Sequence, residues 1–193
     1  MTEADLVTAL RPVIDALDRQ QVRHFVGGSI ASSAHGVARA SLDVDLVAEL
    51  EPEHVDRLAH ALSATYYTPV DQMRRAVAER RSFNLIHFAT MFKIDIFVSK
   101  GRPFDRLAAE RARPQTIADA SDGWECRVAS PEDTVLAKLE WFRHGGEMSE
   151  RQWWDVIGIL RLHTDADRAY LARWAPTLGV LDLLERALME AEG

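Results

Sequence analysis

Cysteine is nearly absent. The lone Cys126 cannot form an internal disulfide, which fits a reducing cytoplasm. With no Cys-x-x-Cys pair and no His/Cys cluster, a structural zinc site is excluded as well. No apolar run is long enough to span a bilayer. The opening MTEADLVTAL is acidic where a secretory leader is basic and then apolar, so the expected location is cytoplasmic, with no membrane partner. Ten glycines and seven prolines are scattered, without a repeat, a low-complexity tract or a long linker. Positive charge is also short. There are 23 Lys and Arg against 30 Asp and Glu, for a net charge of -7, which argues against a broad nucleic-acid surface. A local basic track is still compatible with this, and Arg74–Arg81 and Arg102–Arg113 hold many of the arginines. The plainest reading of those two runs is a solvated helix face.

What is present is an ordinary globular balance, 47% hydrophobic and 27% charged over 193 residues, enough to bury a real core. The informative stretch is FVGGSIASSAHGVARASLDVDL, residues 25–46. Val22, Phe25 and Val26 are strand formers. Gly27 and Gly28 allow a tight turn with no side chain between backbone and ligand. Ser29 is a natural N-cap for a short helix to about Gly36, and such a terminus suits phosphate. A loop bearing Arg39 leads to a second strand over about 42–49. There Asp43 and Asp45, two apart, point to one face with Cα atoms roughly 6.5 Å apart, while Leu42, Val44 and Leu46 point into a core. Aspartate is disfavoured in strands. Either water covers that face, or the pair holds a divalent cation such as Mg²⁺, which takes one or two carboxylates and substrate phosphates. Asp95, in FKIDIFV, is a third lone carboxylate in a strand.

These motifs resemble the nucleotidyltransferase superfamily with the DNA polymerase β fold. That family carries a hydrophobic-Gly-[Gly/Ser] turn, a short helix, Asp-hydrophobic-[Asp/Glu] on a strand and a third carboxylate on a later strand. Gly27, Gly28 and Ser29 match the turn, Asp43 and Asp45 the pair, and Asp95 the third. The finer pattern, GG-x-x-A, then HG, then R-A-S-x-D-x-D, is similar to bacterial stand-alone members, among them the abortive-infection AbiE-type toxins. The clear motifs cover about residues 22–98, and a weaker match runs through Lys138 to Asp155. The resemblance implies an α+β fold with a mixed β-sheet. It implies NTP as donor, two Mg²⁺ ions held by Asp43, Asp45 and Asp95, and Asp95 as base toward an acceptor hydroxyl. The acceptor would be a tRNA, a protein or a small molecule, and an antitoxin is a further partner if the chain is a toxin. Gly27, Gly28, Ser29, Arg39 and Lys138 would bind the nucleotide. A phosphate and a carboxylate are equally open as partners of Arg39. Lys138 sits between core positions Leu136 and Leu139, so it either reaches the triphosphate or snorkels to solvent beside Trp141.

Along the rest of the chain, periodicity predicts helices over 3–20 (with a kink or late start at Pro12), 52–64, 71–80 and 102–113. It predicts an edge strand at 66–68, antiparallel strands at 82–88 and 92–98, and a hairpin of 115–120 with 125–129. From Ser130 onward the pattern is helical, with Ser130 and Ser149 as caps and two further helices over 165–192. This suggests a nucleotidyltransferase core at 1–129 and a helical subdomain at 130–193 packed on it. His35 and His87 read as packing residues, Arg151 and Asp155 as a one-turn pair. Trp153 and Trp154 divide between core and surface, with base stacking on Trp154 as the sharper option. Asp-x-Asp also holds the metal of sugar nucleotides in glycosyltransferases, but that chemistry requires neither the Gly-Gly-Ser turn nor Asp95. The other rival is a degenerate, non-catalytic module that binds nucleotide or a partner protein.

Overall fold

Period-two alternation builds the sheet and a 3.6-residue period builds what covers it. The computed structural model describes residues 3–37, 43–117 and 123–193. In chain order, α1 is Glu3–Arg19, β1 His24–Val26, α2 Gly28–Ala34, β2 Asp43–Ala48, α3 Pro52–Leu62, β3 Tyr66–Tyr67, α4 Val70–Ala78 and β4 Ser82–His87. There follow β5 Lys93–Val98, α5 Pro103–Arg111, β6 Arg113–Gln115, β7 Cys126–Val128, α6 Pro131–His144, α7 Glu150–Leu162, α8 Arg168–Trp174 and α9 Leu181–Glu192. The described strands form one mixed sheet in the order β3-β4-β5-β2-β1-β7-β6. The α+β fold with a mixed sheet is therefore as expected, and α1 continues through Pro12. β6 and β7 pair antiparallel as expected, but the first strand lies at Arg113–Gln115, earlier than the expected 115–120, and residues 118–122 lie outside the described set.

The centre of the sheet decides where function can sit. β2 and β5 run parallel, with Val44 opposite Ile94, Asp45 opposite Asp95 and Leu46 opposite Ile96. On one face Val44, Leu46, Ile94 and Ile96 are fully buried. Each such side chain contributes about 1.5–3 kcal/mol of burial, so a one-residue slip that turned this set to water is strongly disfavoured. The register is fixed by the core, and the aspartates are thereby fixed on the other face. On the core side Tyr66 reaches from the edge strand to donate its hydroxyl to the Ala9 carbonyl of α1 at 2.7 Å. His87 also lies on this side, its ring 4.9 Å from that of Tyr66 and its Nδ1 2.8 Å from the Thr90 hydroxyl. It is a packing residue, as its sequence context suggests.

Three helix starts differ in instructive ways. Ser130 caps α6 as expected, accepting from the Asp133 N–H at 3.1 Å, and Ser149 accepts from the Gln152 N–H at the start of α7. Ser29 does not cap α2. The helix begins one residue earlier, at Gly28, with Gly27 as N-cap and no side-chain cap bond. Gly28 adopts φ +55°, which a residue with a side chain adopts only with strain, so the glycine and not the serine sets the start.

Candidate functional site

On the polar face of β2 and β5 the side chains alternate Asp43, Asp45, Val47 and Lys93, Asp95, Phe97. Asp45 is the most constrained of the carboxylates. Its carbonyl accepts from the Gly27 N–H at 2.9 Å, and its carboxylate accepts a backbone hydrogen bond from Ser29. A Cβ added to Gly28 would stand 1.6 Å from Asp45 Oδ2. Gly28 is thus a glycine for two reasons, its positive φ and the space the carboxylate needs. Burial and the neighbouring Asp95 charge raise the Asp45 pKa, against the pull of Lys138 and of the Ser29 bond.

Strand parity puts Lys93 on the face of Asp95, but sequence reasoning gave it no role. Its Nζ lies 2.8 Å from Asp95 Oδ2 and 3.6 Å from Asp43 Oδ2. The hydrogen bond to Asp95, against a burial penalty, holds its pKa above the ordinary lysine value. Asn84, directly across β4 from Asp95, was missed because cross-strand pairing is not local.

Lys138 does not snorkel. It is buried and donates to Asp155 Oδ2 at 2.7 Å, with Asp155 only 3% exposed. The pair joins α6 to α7, so Asp155 takes a tertiary partner 17 residues away where a one-turn pairing with Arg151 was the local expectation. Lys138, Asp155, Asp45, Gly27, Gly28 and Ser29 all border one cleft of about 740 Å³ between the polar sheet face and α5, α6 and α7. Arg39 lies outside the described residues.

The arginine runs are less solvated than their composition implies. Arg102 donates to Glu140 at 2.5 and 3.0 Å and to Asp105. Arg111 donates to Glu132 at 2.7 Å and Asp133 at 3.1 Å. These bonds tie α5 to α6. Arg80 and Arg81 border the cleft, and Arg80 also holds Glu51 at 2.6 Å. His35 packs: its Nε2 lies 2.7 Å from the Ala129 carbonyl and its ring 5.3 Å from that of His163. Trp153 is buried and Trp154 is exposed.

The donor chemistry of the polar face suits a hard cation. Three carboxylates, Asp43, Asp45 and Asp95, share that face, and the Lys93 ammonium already bridges Asp43 and Asp95. Among the described residues, no three Asp, Glu, His or Cys side chains meet at metal-holding distance as they stand. Admitting a cation at Asp43 and Asp95 therefore requires the Lys93 ammonium to swing aside, which its four-carbon stem permits.

The nucleotidyl transferase AbiEii toxin family, of type IV toxin–antitoxin systems, matches residues 10–186. No curated protein is matched by the sequence. Among solved structures, the antibiotic-resistance factor ANT(2'')-Ia superposes with a TM-score of 0.54 at 13% identity, over 96% of this chain and 99% of that one. An antigenic nucleotidyltransferase-like protein from Paracoccidioides brasiliensis gives 0.51 at 16% identity, over 98% and 94%. At such identities the likeness is one of fold. The family match spans nearly the whole chain, and the protein belongs to the AbiEii nucleotidyltransferase toxin family of type IV toxin–antitoxin systems.

Proposed function

We propose that the chain moves an NMP group from an NTP to an acceptor hydroxyl at the cleft, with Asp43, Asp45 and Asp95 holding Mg²⁺ and Gly27, Gly28, Ser29, Arg39 and Lys138 serving the nucleotide. The observation that supports this most is the facing of Asp45 and Asp95 across a parallel pair of strands, with Asp45 seated in the space that Gly28 leaves. Mg²⁺, when bound by these carboxylates, supplies charge stabilisation at the attacking and leaving oxygens of an in-line displacement. The chain's own residues do the rest. The backbone of Gly27–Ser29 borders the phosphates without a side chain in the way. Lys138, held in place by Asp155, presents a point charge to them. Asp95 accepts the proton of the acceptor hydroxyl. The acceptor is a tRNA, a protein side chain or a small molecule, the setting is the cytoplasm, and an antitoxin is a further partner, a reading supported by the family match.

The test is transfer of α-labelled NTP to cell extract fractions with Mg²⁺. Label should appear on one acceptor class with wild type and be absent with Asp43→Ala or Asp95→Ala. Label that persists in both variants sinks the assignment. One observation favours a second reading, a nucleotide- or partner-binding module without transfer: Lys93 already neutralises part of the carboxylate row. That reading expects NTP binding with no labelled acceptor in any fraction, and equal cell toxicity of wild type and Asp95→Ala.

A further inference from the structure

Lys138 and Trp141 are three residues apart on α6, hence about one turn and 4.5 Å apart along the same face. Asp95 and Phe97 are two apart on β5, hence on one face of the strand and about 6.6 Å apart along it. Asp45, directly opposite Asp95, feels the charge of both Asp95 and Lys138. At one end stand the charged groups Asp95 and Lys138. At the other the Phe97 and Trp141 rings meet edge to face, 5.4 Å apart at 64°. Both aromatic residues border the same cleft as Lys138 and Asp45. Trp141 leaves 52% of its surface in water although its neighbours on α6, Leu139 and Phe142, are buried. His144 continues the aromatic edge, with its ring centroid 6.2 Å from that of Trp141. Burial alone does not account for an indole held half open at a cleft wall, braced from below by Phe97 and from the side by His144.

From this we infer that Trp141 is the seat of the donor's nucleobase, with Phe97 holding the indole upright. The inference rests on the donor reading above and deepens it. A triphosphate gripped near Gly28, Ser29 and Lys138 has one aromatic surface to reach further along the same helix face, and every base has a π-face to offer it. Such a seat is tolerant of base identity, so selectivity among NTPs must come from polar groups at its rim. Gln152 and Arg151, at the start of α7 and bordering the cleft, are placed for that. The stacking tryptophan is accordingly Trp141, which borders the cleft, and not Trp154.

The experiment separates base from phosphate. The Mg²⁺ complexes of ATP, GTP, CTP and UTP, and of inorganic tripolyphosphate, are titrated calorimetrically into wild type, Trp141→Ala and Trp141→Phe. Trp141→Ala should weaken the bound NTP by about 5- to 100-fold and leave tripolyphosphate unchanged, and Trp141→Phe should recover most of the loss. Unchanged NTP affinity in Trp141→Ala overturns the seat while the phosphate grip stands. Parallel loss of NTP and tripolyphosphate overturns it too, since Trp141 then serves the phosphate end or the fold. Failure of wild type to bind either ligand removes the donor reading and the seat together.

Discussion

Two acidic centres lie within this molecule, and they are built on opposite terms. At the start of α6, Asp133 is only 2% exposed and its oxygens are spoken for. Arg111 donates to it at 3.1 Å, the Ser130 hydroxyl at 2.7 Å and the Tyr170 hydroxyl at 2.5 Å. Arg111 also stacks 4.0 Å over the Tyr170 ring and holds Glu132. On the polar face of the sheet, the Lys93 ammonium lies between Asp43 and Asp95, and Asp45 carries a raised pKa because burial and Asp95 work against its charge. A carboxylate that is buried and fully partnered holds the elements around it in place, and removing it strands its partners. A row of carboxylates that repel one another costs stability, and such a cost is tolerated where a ligand is to supply the missing charge. The two centres differ in how their acids are partnered more than in how deeply they are buried.

The comparison can be broken at either end. The largest effect is expected on turnover. Asp45→Asn should lower NMP transfer by at least about 10²–10³-fold, the scale of losing one preorganised charge-stabilising group, and should leave the melting temperature unchanged or raised. Next, Asp133→Ala should cost about 3–5 kcal/mol of unfolding free energy, because it strands the buried partners of a satisfied charge, as read by denaturant melts. The Lys138–Asp155 pair belongs to both worlds. Lys138→Met or Asp155→Leu alone should each cost a similar amount. The double variant should recover much of that stability, since a buried ion pair replaced by apolar groups is often near neutral, yet NTP binding should not return. A double variant that regains binding would make Lys138 purely structural.

The smallest effect concerns His35. Burial, against the Ala129 bond and with help from His163, lowers its pKa below 6.5. The folded state therefore favours neutral imidazole. Its stabilising share is complete above the unfolded value and is lost as pH falls from 6.5 toward the lower folded value. Glu132, the acidic group facing it, moderates this. His35→Gln should flatten the stability profile between pH 7 and pH 5 in thermal melts.

Much of the sheet was legible because its signal is local. Alternation in FKIDIFV places Asp95 opposite the apolar face, and the same parity places Asp43 and Asp45, all as found. What escaped was either non-local or hidden by composition. Arg111 meets Asp133 and Glu132 more than 20 residues on, so a run of arginines that reads as a wet helix face is in part an internal clamp. Ser29 has the chemistry of a cap, but Gly28 at positive φ starts the helix first. Asp155 is within one turn of Arg151, yet the packing of α6 on α7 delivers Lys138 instead. Lys93 shares the parity of Asp95, but its place between Asp95 and Asp43 depends on the pairing of β2 with β5, which is not local.

The most direct measurement sets the same isosteric change in both centres. Asp45→Asn and Asp133→Asn are each assayed for melting temperature and for calorimetric binding of Mg²⁺–NTP. Opposite outcomes are predicted: Asp45→Asn keeps or gains stability and loses Mg²⁺-dependent binding, while Asp133→Asn melts earlier and, where still folded, binds as wild type does. An Asp45→Asn protein that melts early yet binds normally, or a fully stable Asp133→Asn protein that has lost binding, would contradict the division between the two centres.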